Sequence, residues 1–211
     1  MKNAFKLFDF MGTPVYLKYW FFALLLFVGF DISFFIAIFF AVMVHELAHT
    51  FVARKLNYFV SAVYLDLFYG AAQVDTAYQY RHKDSLMIVG AGPLSNLIML
   101  GIGTLILTQF PDLKFVMDLN KINWILFIFN ILPIYPLDGG RMSKALLCLF
   151  FDAIGQPRAN RKGKFWNGIL SMVTSVALLA FCVLNSMYIM AIFSLLFIYM
   201  SYLEITDKNH F

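Results

Sequence analysis

The chain has 211 residues, 62% of them hydrophobic and 13% charged, with a formal net charge of +4. A soluble globular domain is about half apolar and about a quarter charged, so the composition excludes a water-soluble protein and predicts one integral to a bilayer. The positive charge is no nucleic-acid signature, because almost all of it falls on one side of the topology derived below.

Six apolar segments run over 15–30, 32–53, 86–110, 122–150, 166–184 and 187–203. A helix needs about 20 residues to cross the hydrocarbon. The expected fold class is therefore an all-α polytopic membrane protein with six transmembrane helices. The first segment is short, so it recruits Thr13 and Pro14 or sits in a thinned bilayer. Gly29-Phe30-Asp31 is the turn to the second segment. Six spans place both termini on one side. If that side is cytoplasmic, only Lys114 and Lys121 of the 16 Lys and Arg lie outside, as the positive-inside rule requires. The run Arg158, Arg161, Lys162, Lys164 marks the inner face. Cys148 and Cys182 lie in apolar runs and read as small buried hydrophobes.

The second segment contains "AVMVHELAHTF", residues 41–51. On a helix His45 and His49 share a face one turn apart, with Glu46 beside the first. This is H-E-x-x-H, in which two imidazoles bind zinc and the glutamate is general base on the water at the metal. If Arg54 closes the span, the histidines lie about 8–14 Å in from that end. An unpartnered glutamate is costly at such depth; a divalent cation relieves that cost.

A catalytic zinc takes three protein ligands and keeps one position open. His82 and His210 lie in polar loops, Cys148 sits among leucines, and Glu204 is at the far end of the last span. The remaining candidate is Asp138, in "NILPIYPLDGGRM", residues 130–142. Pro133 and Pro136 each remove a donor and Gly139-Gly140 favours non-helical backbone, so the helix should stop near Leu132 and restart near Met142. Irregular backbone is tolerated at membrane depth only where it is buried in protein or lines a wet cavity.

The two motifs, with "GAGPLSN" at 90–96, resemble those of the site-2 proteases, the intramembrane zinc metalloproteases, over nearly the whole chain. The six-span sporulation type is the nearest likeness. The resemblance implies one Zn2+ per chain held by His45, His49 and Asp138, with Glu46 as catalytic base. It implies that Asn130 binds the substrate backbone or the developing oxyanion, and Pro136 and Gly70 are placed with it at the substrate. Asn96 is assigned possible support, and Gly90, Gly92 and Pro93 are expected to let the third helix approach the metal helix closely. Residues 58–80 are rich in β-branched and aromatic residues around Gly70 and predict a membrane-associated β-hairpin between helices 2 and 3, whose edge suits an extended substrate. One catalytic domain is expected over 1–211, without PDZ or CBS domain. The implied partners are the lipid bilayer and a membrane-protein substrate (an anti-sigma factor, a pro-sigma factor or a signal-peptide remnant) in a bacterial inner membrane; the sequence leaves the substrate and the oligomeric state open. Two other classes use the same residues: a metal transporter with a His/His/Asp site, although repeated halves are missing, and a silent binder, against which intact Glu46 argues.

Overall fold

The computed structural model describes residues 4–27, 29–65, 71–74 and 81–206. In chain order these form β1 (Ala4–Phe10), β2 (Thr13–Lys18), a 3-10 turn (Tyr19–Ala23), α1 (Leu24–Phe27), α2 (Ile32–Lys55), β3 (Val60–Leu65), β4 (Ala71–Val74), α3 (His82–Gln109), α4 (Lys114–Ile131), α5 (Asp138–Ala153), α6 (Ala159–Leu184) and α7 (Tyr188–Thr206). Two compact units emerge, one of residues 1–79 and 90–128, the other of 80–89 and 129–211.

The first unit corrects the all-α expectation. It contains a four-stranded sheet in the order β1-β2-β3-β4. The β3–β4 pair is antiparallel, the hairpin expected between helices 2 and 3. The strands at residues 4–18 were not expected. They form an antiparallel pair around Met11 and Gly12, whose positive φ values of 50° and 75° are what a two-residue hairpin turn demands. β2 runs parallel to β3, and parallel neighbours need a crossover connection, here the segment from Tyr19 through α2. In β2, Thr13, Val15 and Leu17 are buried and alternate with half-buried Pro14, Tyr16 and Lys18. The 15–30 segment is thus no single helix: a proline followed by alternating Val15 and Leu17 suits a strand, and only Leu24–Phe27 is α-helical before the turn.

α2 begins where the Asp31 carboxylate accepts from Phe34 N at 3.1 Å, an N-cap. Lys114 Nζ lies 2.8 Å from Asp31 and 2.9 Å from buried Asp118. Ser33 donates to Asp118 at 3.0 Å, so the starts of α2 and α4 are pinned together. At the other end Arg54 donates twice to Met11 O, at 3.1 and 2.8 Å, tying α2 to the hairpin turn. The buried stripe of α2 is Ala37, Ala41, His45, His49 and Ala53, spaced by four as one helical face requires. Ala37 and Ala41 pack with Leu119 and Ile122 of α4; small residues admit close helix contact where lipid offers no competing hydrophobic drive.

In the second unit α5, α6 and α7 pack successively. Gly163 lets α6 approach Cys148 of α5, where a Cβ would stand 2.3 Å from Sγ and 2.8 Å from the backbone N. Gly168 does the same against Ile205 of α7. The break expected in the fourth segment is present, with α4 ending at Ile131 and α5 beginning at Asp138, four residues before the expected restart. Gly139 and Gly140 are helical: Cβ atoms there would meet Leu132 O at 2.2 Å and Ile134 C at 2.4 Å. The glycines serve close approach of the first turn to the break, rather than unwinding.

Among the described residues four helices, α2, α3, α6 and α7, are long and apolar enough to cross a membrane. The chain is a mostly helical, multi-pass membrane protein with a small sheet. Gly163→Val is expected to destabilise the protein by about 1–3 kcal/mol through overpacking, because backbone as well as Sγ of Cys148 stands in the way; an unshifted thermal midpoint in detergent would contradict this packing.

Candidate metal centre

The 24-residue run of α2 contains no proline or glycine, and its regularity places His45, Glu46 and His49 one after another around a single turn. All three are buried, with 6%, 5% and 8% of their surface exposed. The Nε2 atoms of His45 and His49 stand 3.1 Å apart, with the ring planes at 85°.

His45 has a fixed tautomer partner. Its Nδ1 lies 2.6 Å from Oδ1 of Asn96 on α3. A carbonyl oxygen only accepts, so Nδ1 carries the proton and Nε2 keeps its lone pair. Asn96 Nδ2 donates to Asn123 Oδ1 at 2.8 Å, and Asn123 Nδ2 donates to Leu119 O of α4 at 2.9 Å. Both asparagines are fully buried. The relay thus ends on backbone, and each amide orientation along it is dictated by the next. The role of Asn96 is more specific than general support, and Asn123 was missed altogether. The available signal was an asparagine beside Leu119 and Ile122 in α4.

Gly92 on α3 faces both rings. A Cβ there would lie 2.3 Å from His49 Nε2 and 2.6 Å from His45 Cε1, so the close approach expected of this glycine stretch is a requirement at Gly92. Glu46, beside His45, makes no side-chain hydrogen bond or ion pair among the described residues; its backbone carbonyl accepts from Thr50 Oγ1 at 3.0 Å.

Asp138 opens α5 and is buried, with 7% exposure. His45, His49 and Asp138 are a set of residue types that could hold a metal ion. The donor chemistry fits zinc. Two nitrogens bound about 2.0–2.1 Å from one tetrahedral ion stand ~3.3 Å apart, near the 3.1 Å seen between the Nε2 atoms. Two imidazoles and a carboxylate also leave a fourth position for water or substrate.

The remaining candidates fall elsewhere. His82 Nε2 pairs with Asn160 Oδ1 at 2.6 Å, and Cys148 and Cys182 are buried free thiols. Asn130 sits half-buried in the last turn of α4 and makes no side-chain hydrogen bond among the described residues. Pro136 is half-buried in the break before α5. Gly70 and His210 lie outside the described residues.

No family model matches the chain. It is 33% identical over 161 residues to a zinc metalloprotease of Methanocaldococcus jannaschii, covering 70% of this chain and 46% of that protein. It is 28% identical over 156 residues to the stage IV sporulation protein FB of Bacillus subtilis, covering 73% and 49%. The chain therefore spans just under half the length of these two relatives. The solved structure of a site-2 protease from Methanocaldococcus jannaschii superposes with a TM-score of 0.67 at 26% identity, over 99% of this chain and 98% of that one.

Replacing Asn96 by leucine is expected to weaken zinc binding about 10–100-fold, the usual effect of removing a partner that orients a ligating histidine. Competition with a chromogenic chelator reads this directly, and parental affinity in the variant would rule out an orienting role.

Proposed function

We propose that this chain, which groups with the site-2 proteases in sequence and in fold, is an intramembrane zinc metalloendopeptidase cutting membrane-protein substrates in or near their spanning segments. The observation that carries the reading is the buried His45, His49 and Asp138 group beside Glu46, in a chain whose helices are built for a bilayer.

His45, His49 and Asp138 would hold one zinc ion per chain. When bound, zinc supplies Lewis acidity, which lowers the pKa of a water to about 7 and polarises a peptide carbonyl. The rest of the chemistry belongs to protein atoms. The carboxylate of Glu46 takes the proton of the attacking water and returns it to the leaving amine. The Asn96–Asn123 relay keeps the Nδ1 proton of His45 in place, so its Nε2 stays available as a donor atom. Asn130 offers an amide to the substrate backbone or to the oxyanion, with Pro136 beside the substrate path; Gly70, assigned to the substrate with them, lies outside the described residues. The β3–β4 hairpin accepts the extended substrate by strand addition, because a helical substrate hides its amides.

The proposed topology has both termini in the cytoplasm of a bacterial cell and six passages through its membrane. The first is the short aromatic stretch 19–27 beside α2, in a thinned bilayer. The sheet then lies at the cytoplasmic interface, on the side where Lys and Arg concentrate, and the metal centre is nearer that face. One relative is named a zinc metalloprotease and the matching solved structure a site-2 protease, which favours hydrolysis over transport at the same donors.

Glu46→Gln should retain one zinc per chain yet lose at least about 10²-fold in cleavage of a single-span substrate in liposomes. Continued cleavage by the purified variant would remove Glu46 from the chemistry. Asp138→Ala should bring bound zinc below one per chain by elemental analysis; unchanged stoichiometry would exclude Asp138 as a ligand.

A further inference from the structure

The second unit buries more polar chemistry than the metal centre uses. Asn167, Ser171, Ser175, Ser194 and Ser201 are fully buried and Glu204 is 6% exposed. Ser175 and Ser194 donate only to carbonyls of their own helices, Ser171 O and Met190 O. The other four do something different. Asn167 and Ser171 lie one turn apart on α6, Ser201 and Glu204 three residues apart on α7, so each helix presents a pair on one face.

The pairs meet as two rungs, and both rungs extend beyond α6 and α7. In the first, Tyr135 N donates to Ser171 Oγ at 2.7 Å. Ser171 and Ser201 hydroxyls are 2.6 Å apart, and Ser201 donates to Phe197 O at 2.8 Å. Each hydroxyl has one hydrogen, so the chain runs one way, from the Tyr135 amide through Ser171 and Ser201 to a backbone carbonyl. In the second, Ser143 Oγ donates to Asn167 Oδ1 at 2.5 Å, and Asn167 Nδ2 donates to Glu204 Oε2 at 3.4 Å. Lys144 Nζ stands 3.2 Å from Glu204 Oε1, a charge pairing off the hydrogen-bond line.

The attachment points bracket Asp138. Tyr135 lies three residues before it in the break, and Ser143 and Lys144 lie five and six residues after it on α5. Between them Gly139 and Gly140 press the first turn of α5 onto the backbone of Leu132 and Ile134, so break and helix start behave as one piece. Polar glue between two membrane helices needs only α6 and α7; it gives no reason for both rungs to end on the segment that carries Asp138.

We propose that α6 and α7 are a positioning scaffold for Asp138, in which the Ser171–Ser201 and Asn167–Glu204 rungs fix the break and the first turns of α5 and thereby the place of the carboxylate. Ser171, Ser201, Asn167 and Glu204 are positioning residues. The inference rests on Asp138 being a metal ligand.

The test uses the full chain purified in detergent, with zinc dissociation constants from chelator competition and thermal midpoints of the zinc-free protein. Ser171→Ala and Glu204→Ala are expected to weaken zinc binding by about tenfold or more. Glu204→Gln restores most of the affinity, because its amide oxygen still accepts from Asn167. Ser194→Ala, a buried serine outside the rungs, leaves affinity at the parental value while losing its local bond. If Ser171→Ala and Glu204→Ala lower the midpoint but bind zinc as the parent does, the rungs are helix glue and the proposal is overturned. Should Glu204→Ala not fold, Ser171→Ala, which removes one oxygen, decides alone. His49→Ala separates the two levels. Its loss of zinc alongside unaffected rung variants sinks only the scaffold, whereas parental zinc binding in His49→Ala sinks the metal centre itself.

Discussion

An imidazole whose Nδ1 proton is held by an amide oxygen offers only Nε2, and that single contact, His45 to Asn96 at 2.6 Å, constrains the rest of the first unit. Asn96 can hold its oxygen toward His45 only if its NH2 has an acceptor, because a buried amide with an unmet donor is costly. Asn123 supplies that acceptor and has the same need, met at the Leu119 carbonyl. Three helices are thus obliged to meet at one level. The meeting works only if α3 comes unusually close to α2, which is why residue 92 has no side chain, and if the α2 stripe above the histidines is alanine. In water, solvent would forgive a loose relay. In hydrocarbon every donor must find an acceptor inside the protein.

The sheet answers a different need, the placement of α2 along its own axis. A helix of uniform apolar surface can slide or rotate in a bilayer at little cost. α2 is held at its start by the Asp31, Lys114 and Asp118 cluster and at its end by the two hydrogen bonds from Arg54 to Met11. At the exposed end, the Lys114 ammonium beside Asp31, together with the Phe34 amide, holds that carboxyl below its usual pKa. The cap therefore keeps its charge well into acid, and its contribution fades only as pH falls through that lowered value. The parallel pairing of β2 with β3 closes the loop around α2, so both strands and helix are registered to the same turn.

What could be read from the sequence was whatever rests on residue type at fixed spacing. H-E-x-x-H is legible because helical periodicity puts i and i+4 together wherever the helix lies. The break before Asp138 is legible because prolines cannot donate. The N-terminal strands were not, because "TPVYLKYWFFALLLF" is equally apolar as strand or helix, and what decides is pairing with β3, some 45 residues on. The start of α5 was misplaced because Gly139-Gly140 was taken for flexibility, whereas the pair is helical and stands where two backbones touch. Asn123 and the serine rungs escaped for a related reason: polar residues at helical spacing, such as Asn167 and Ser171, mark a face but name no partner, and their meaning lies in the helix they meet.

The early start of α5 is itself chemically apt. The amides in a helix's first turn have no acceptor within the helix, and the aligned peptide dipoles favour negative charge there. A carboxylate on the first residue of α5 is supported by that field, which favours its charged form. Had the fourth segment run on as one helix, residue 138 would sit in mid-helix, where the preceding carbonyls occupy those amides and an unpaired acid is costly. The two kinds of donor are therefore prepared by different means: the histidine by a side-chain relay that fixes a proton, the aspartate by a chain break that creates a helix end. The prolines at 133 and 136 and the glycines at 139 and 140 act together in this. The prolines end one helix, and the glycines let the next begin directly against it, so that Asp138 is its first residue.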